Sequence, residues 1–154
     1  FFSYDHAGKG FYEAFQDILK NSCQTYGTSY EILHMPAPLF EVQNDPTCVG
    51  IAREAVKKYM GPDVLTDCQP WMASETFALT ARLYPGVLTF SGIENKEKGC
   101  GANHHTPEFD LDEDGLPYGA ATCLGFALDY LKEKPDIPFT RPDEPLEKLV
   151  ARNI

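Results

Sequence analysis

The sequence predicts an α/β layer architecture, and three observations carry that expectation. Segments with helical periodicity alternate with short apolar segments of strand character. The strongest of the latter, Val87 to Ile93 ("VLTFSGI"), is almost continuously apolar, the pattern of a strand covered on both faces in a mixed or parallel sheet. The helix expected after it carries Gly119, Ala121 and Gly125, small enough to let a sheet approach closely.

Residues 1 to 5 read as extended, followed by a helix from about Lys9 to Tyr26. In that helix Phe11, Ala14, Phe15, Ile18, Leu19 and Cys23 recur at steps of three and four and paint one apolar face, and Gly27 stands where a helix stop is expected. Thr28 to Met35 alternates Tyr30, Ile32 and His34 against Ser29, Glu31 and Leu33, a strand pattern ended by Pro36 and Pro38. In "NDPT", Asp45 can cap a helix and Pro46 fits its first position. Residues 46 to 60 then form a helix with Ile51, Ala52, Ala55, Val56 and Tyr59 inward, stopped by Gly61-Pro62.

Val64 and Leu65 suggest a short strand, and Ser74 a cap for a helix from about Glu75 to Leu83, ended by Pro85-Gly86. After the Val87 to Ile93 strand and a long loop comes the helix Leu116 to Lys132, with Pro117 at its start. Ala120, Cys123, Leu124, Ala127, Leu128 and Leu131 share one of its faces. "EKPDIPFTRPDEP" holds four prolines in thirteen residues and must be extended, and "LEKLVARNI" adds a short helix. The break near residue 40 is the candidate domain boundary.

The chain has 154 residues, 43% of them hydrophobic, as in a globular domain. Its 23 acidic residues outnumber 13 basic ones for a net charge of -10, and no basic cluster exceeds Lys57-Lys58, which argues against nucleic acid and anionic membranes as partners. Apolar stretches fall well short of the roughly 20 residues a membrane span needs. The expectation is a soluble, cytoplasmic protein. With no initiator Met, the natural start is expected upstream of Phe1. Five widely spaced cysteines without a C-x-x-C pair suggest free thiols in a reducing compartment rather than a disulfide framework or a four-thiolate zinc site.

Chemistry concentrates in "GCGANHHTPEFDLDEDGLPYG", residues 99–119. Asp110, Asp112, Asp114 and Gly115 match the first half of a calcium loop. The position that should supply the closing bidentate Glu is Ala121, and Pro117 interrupts the second half. The acids are better read as facing the positive N-terminal end of the following helix. Of His104 and His105, adjacent in an extended segment, only one can face a given site. A neutral imidazole suits zinc, manganese, iron or nickel, and a loop leaving a buried strand is where α/β sheets place their sites. A catalytic zinc needs about three protein ligands, and His6 and His34 make unconvincing companions.

The stretch from Pro70 to Leu131 resembles the C-terminal part of the metal-dependent amidohydrolases that cleave N-acyl amino acids: aminoacylases, hippurate hydrolases and plant auxin conjugate hydrolases. The family's Gly-Ser-Glu-Asp-Phe element stands as Ala73-Ser74-Glu75-Thr76-Phe77, departing at Ala73 and Thr76. Its His-x-Pro-x-Phe element stands as His105-Thr106-Pro107-Glu108-Phe109, before the acidic run and the small-residue helix. The resemblance implies the C-terminal half of a di-zinc aminopeptidase-like catalytic domain preceded by the end of an α+β lid domain. Residues 1–40 would be the last strand, helix and strand of the lid, 41–134 the second half of the catalytic domain, and 135–154 a Pro-rich tail.

By the same resemblance His105 would ligate one of two divalent metals, zinc or manganese, with the remaining ligands and the general-base Glu in the preceding half of the enzyme. Glu75 would be a site-wall residue. Its alternative is an acid favoured by a helix N-terminus. Cys100 lies near without a base partner and reads as structural. The implied function is hydrolysis of N-acyl or N-aryl-acyl amino acid conjugates by a metal-activated water, with the N-terminal part of the enzyme and a second copy, through the lid, as partners. The alternatives are a dipeptidase or N-acetyl-diamino acid deacetylase, or a non-catalytic interaction module. A half-sheet would also leave apolar surface bare, to be covered by a partner segment or dimer contact.

Overall fold

The computed structural model of the protein describes residues 8–33, 40–73, 75–145 and 148. Four α-helices organise them: α1 (Lys9–Tyr26), α2 (Pro46–Met60), α3 (Phe77–Leu83) and α4 (Leu116–Glu133). They divide between two compact units, one of residues 1–43, 70–84 and 139–154, the other of 44–69 and 85–138.

In the first unit α1 spans the residues that its periodicity sets out, and Gly27 ends it in the left-handed region at φ +63, its amide returning to the Cys23 and Gln24 carbonyls. Of the expected apolar face only Leu19 and Cys23 are half-buried, while Phe11, Phe15 and Ile18 are exposed. The small core of this unit sits elsewhere. Phe40 and Ala78 are buried, with Val42 and Leu79 packed against them, and the Arg82 guanidinium lies 4.5 Å over the Phe40 ring.

The second unit is built on α2 against α4. Asp45 starts α2 as its composition suggests, its carboxylate accepting from the amides of Thr47 and Cys48 at 2.8 and 2.9 Å with Pro46 in the first turn. Cys48, Ala52, Ala55 and Val56 form the buried face. They are small because α4 comes close. A Cβ built on Gly125 would lie 2.8 Å from Tyr59 Cδ2 and 3.3 Å from the Ala55 Cβ. One turn further along α4, Asp129 is 8% exposed, and one of its oxygens accepts from both Lys58 Nζ and Tyr59 OH. These bonds hold its carboxyl below the ordinary 3.8, Lys58 being the larger cause, and they raise Lys58 in turn.

Three expectations are corrected. Of the small residues of α4, Gly125 packs on helix α2 and Gly119 faces Ser91 of the 87–93 segment, so what approaches closely is a helix and an extended segment rather than a sheet. The leucine face of α4, Ala120, Cys123, Leu124, Ala127, Leu128 and Leu131, is exposed throughout, with Leu124 at 62% and Leu131 at 64%. No strand occurs among the described residues. Residues 28–33 and 87–93 run without a ladder, Val64 closes a turn of 3-10 helix (Pro62–Val64), and the one bridge is Asn95 with Cys100. The cause is a missing neighbour: a strand exists only when a second backbone pairs with it. At Leu88 a side chain fills that role, Asn44 Oδ1 accepting from the Leu88 amide at 2.8 Å and Asn44 Nδ2 donating to its carbonyl at 3.3 Å. Helix α3 begins at Phe77 rather than Glu75. The expected strand at 1–5, the end of the one at 28–35 and the cap Ser74 lie outside the described residues, as does the tail helix apart from Lys148, whose amide bonds the Pro145 carbonyl.

Two outcomes follow from the α2/α4 contact. Gly125→Ala should lower stability by about 1–3 kcal/mol in urea denaturation, the usual cost of overpacking, and the loss should shrink when Tyr59 is replaced by Leu. Because the folded Asp129 carboxyl lies below its ordinary 3.8, its contribution is complete above that value and is lost as pH falls through the folded one. Lys58 is raised, so its contribution is complete below its ordinary 10.5 and is lost only as pH rises through the higher folded value. Asp129→Asn should therefore flatten the acid limb of a stability profile measured from pH 2 to 6 while leaving the slope from 6 to 9 unchanged.

Candidate functional site

The loop between residue 93 and α4 is closed at its base by hydrogen bonds from both sides. Asn95 and Cys100 exchange two backbone bonds, of 2.6 and 2.9 Å, around a turn of 3-10 helix (Lys96–Lys98), and Asn95 Oδ1 accepts from the amides of Glu97 and Lys98. The Asp112 amide donates to the Ile93 carbonyl at 2.9 Å. Asp112 Oδ2 accepts from Asn95 Nδ2 and its Oδ1 from Lys98 Nζ, both at 2.6 Å. The Lys98 ammonium also reaches Asp114.

Two of the three acids that imitate a calcium loop thus share a lysine ammonium. The third, Asp110, turns to the Leu111 amide. The Lys98 contact, then Asn95, holds the Asp112 carboxyl below its ordinary value, and both acids raise Lys98. Asp112 also leads into α4 by accepting from the Asp114 amide, opening a 3-10 turn (Glu113–Gly115) before Leu116. Cys100, buried beneath the loop, has its thiol pushed up by desolvation and by Asp110 and Asp112, which makes it a poor nucleophile at neutral pH.

His104 and His105 stand in the upper part of this loop, both exposed. Their ring centroids are 6.4 Å apart and tilted by 52°. His104 instead stacks on Phe109, at 5.0 Å and 27°. His105 takes the left-handed region at φ +63, an arrangement that costs a residue with a Cβ of order 1–2 kcal/mol. Thr106 Oγ1 donates to the Asn103 carbonyl and the Phe109 amide to the Thr106 carbonyl, forming the turn around it. Among the described residues no hydrogen bond or ion pair engages the His105 imidazole, and no three His, Cys, Asp or Glu side chains converge as a metal cage requires. Among the described residues of this loop, the His105 imidazole is the group left to offer a metal a nitrogen.

Glu75 belongs to the other unit. Its carboxylate accepts from the Phe77 amide at 3.1 Å and from Thr76 Oγ1 at 3.0 Å just before α3, and these bonds hold the group below its ordinary value. Sequence reasoning missed Asn95 and Lys98. The one available signal was an asparagine placed to cap the turn at Lys96, since nothing in helical or strand periodicity joins Lys98 to Asp112.

Comparison with known proteins bears on what this loop serves. No family model matches the chain, and no solved structure matches it. Curated relatives do. IAA-amino acid hydrolase ILR1-like 6 of Arabidopsis thaliana is 37% identical over 127 residues, 77% of this chain and 26% of the relative. IAA-amino acid hydrolase ILR1-like 2 of the same plant is 35% identical over 82 residues, 53% of this chain and 18% of that one. Putative amidohydrolase YhaA of Bacillus subtilis is 28% identical over 116 residues, 73% and 28% respectively. The chain spans less than a third of the length of these relatives. The chain is thus a relative of the IAA-amino acid hydrolases and amidohydrolases.

Proposed function

We propose that this chain is the C-terminal part of a metal-dependent amidohydrolase that cleaves the amide bond of N-acyl or N-aryl-acyl amino acid conjugates, with His105 as one ligand of a two-metal site. The observation that carries the reading is His105 itself: a histidine in a costly left-handed conformation, its imidazole uncommitted among the described residues, in a chain whose relatives are named for hydrolysing IAA-amino acids. Strain of this kind gathers at functional sites because the surroundings are built to hold it.

A bound zinc or manganese would supply a water of lowered pKa and polarise the amide carbonyl. The residues of this chain do less. His105 offers an imidazole nitrogen from its turn, and Glu75, whose carboxylate accepts from the Phe77 amide just before α3, is by resemblance a wall residue of the complete enzyme. Cys100 supplies no nucleophile. The bare leucine face of α4 supports packing by the preceding part of the enzyme, and the exposed Phe11, Phe15 and Ile18 of α1 support a lid that pairs with a second copy. No helix among the described residues is long and apolar enough to cross a membrane, and all five cysteines are free thiols, which supports a cytoplasmic setting.

A second reading, a peptidase acting on unblocked chains, is favoured by one relative: Thermostable carboxypeptidase 2 of Saccharolobus solfataricus, 28% identical over 113 residues, 73% of this chain and 28% of that one. The two differ chemically, because a free substrate amine needs an acidic partner that an acylated one does not. Assayed side by side on the full-length protein, N-acetyl and N-aroyl amino acids should be cleaved faster than dipeptides; the reverse order selects the peptidase. His105→Ala should empty the metal site and reduce hydrolysis by more than about a hundredfold, beyond the cost of losing an outer-shell partner. Full metal occupancy with full activity would overturn the assignment. His105→Gly should lose the same chemistry yet be about 1 kcal/mol more stable than His105→Ala, because only alanine inherits the left-handed penalty.

A further inference from the structure

The left-handed conformation of His105 needs something to hold it, and the turn around it is itself an exposed piece of loop. Its two hydrogen bonds, Thr106 to Asn103 and Phe109 to Thr106, are local, and neither reaches a helix. The described hydrogen bonds that tie the loop to α4 and to residues 93–98 lie at its base. There Asp112 is the shared point: it bonds Ile93 through its amide, Asn95 and Lys98 through its carboxylate, and Asp114 through the start of the turn into α4. Its side chain is 15% exposed, and both oxygens are taken. Removing that carboxylate would release residues 101–111 at one end.

We infer that Asp112, gripped by Asn95 and Lys98, is a positioning residue that closes the base of the 101–111 loop and thereby holds His105 at its left-handed backbone angle. The inference rests on the reading of His105 as a ligand, and it gives the acidic run a role in that site without making it a cation site. Lys98 acts as a cation built into the chain, tying together acids whose repulsion would otherwise open the loop. A support of this kind reduces the ordering cost of binding by holding the loop in place.

The test uses the full-length hydrolase with Lys98→Met, Lys98→Arg and Asp112→Asn. Lys98 is half exposed, so its replacement threatens the fold least. Hydrogen exchange of the segment 101–111 and zinc affinity by chelator competition are read together. Lys98→Met should speed exchange in that segment by about tenfold, leave α4 unchanged, and weaken zinc by about tenfold, the lower end for outer-shell partners. Lys98→Arg should restore both, since it keeps the charge at the same reach. Unchanged exchange in 101–111 overturns the inference, whatever zinc does. Faster exchange with unchanged zinc affinity also overturns it, by making the clasp merely structural. If His105→Ala leaves zinc affinity intact, the ligand reading falls instead, and the exchange arm still decides whether the clasp holds the loop.

Discussion

The contact of Gly125 with Tyr59 and Ala55 is the constraint on which the larger unit depends. Because α4 carries a hydrogen where other residues carry a Cβ, it can lie on α2 at a distance only alanines tolerate, and the buried face of α2 is accordingly Cys48, Ala52, Ala55 and Val56. That closeness brings Asp129 under Lys58 and Tyr59, where a carboxylate can be buried because two donors meet one of its oxygens. It also fixes where α4 begins, and hence where the loop before it must end. The Asp112 hub is anchored to a helix that itself cannot shift without breaking the α2 contact.

The helices were legible because their start and stop chemistry is local. Asp45 and Pro46 opening α2, Gly27 closing α1 and Pro117 opening α4 act through bonds within a turn or two, and all three stand where composition puts them. The close-packing side of α4 was legible in Gly119, Ala121 and Gly125, but its partner was not: Gly125 meets helix α2, because smallness permits close approach without saying what approaches. The strand expected at Val87 to Ile93 was misread for another reason. Its apolar run records a preference for burial, whereas a ladder is a property of two backbones, and Asn44 is the partner found at Leu88.

At the site, His105 stands out from its neighbours in the sequence through its place before Thr106-Pro107, while its backbone angle is only weakly signalled by residue type, since most histidines still avoid the left-handed region. The acids show the opposite failure. Asp110, Asp112 and Asp114 advertise a cation in the sequence, and what two of them hold is Lys98, separated from Asp112 by the whole histidine loop. Charge alternation along a chain says which groups need a counter-ion, and folding decides whether that counter-ion is a metal or a side chain.

The two faces of α4 also set different rules for sequence drift. On the packed face, a side chain at position 125 would have to displace the Tyr59 ring, so that position is costly to change. On the leucine face, Leu124, Leu128 and Leu131 can exchange with methionine or isoleucine at little cost within this unit, since nothing in it measures their shape. A helix of this kind accumulates change on one side only, so the rate at which each side varies among descendants would record which side meets a partner whose shape is fixed.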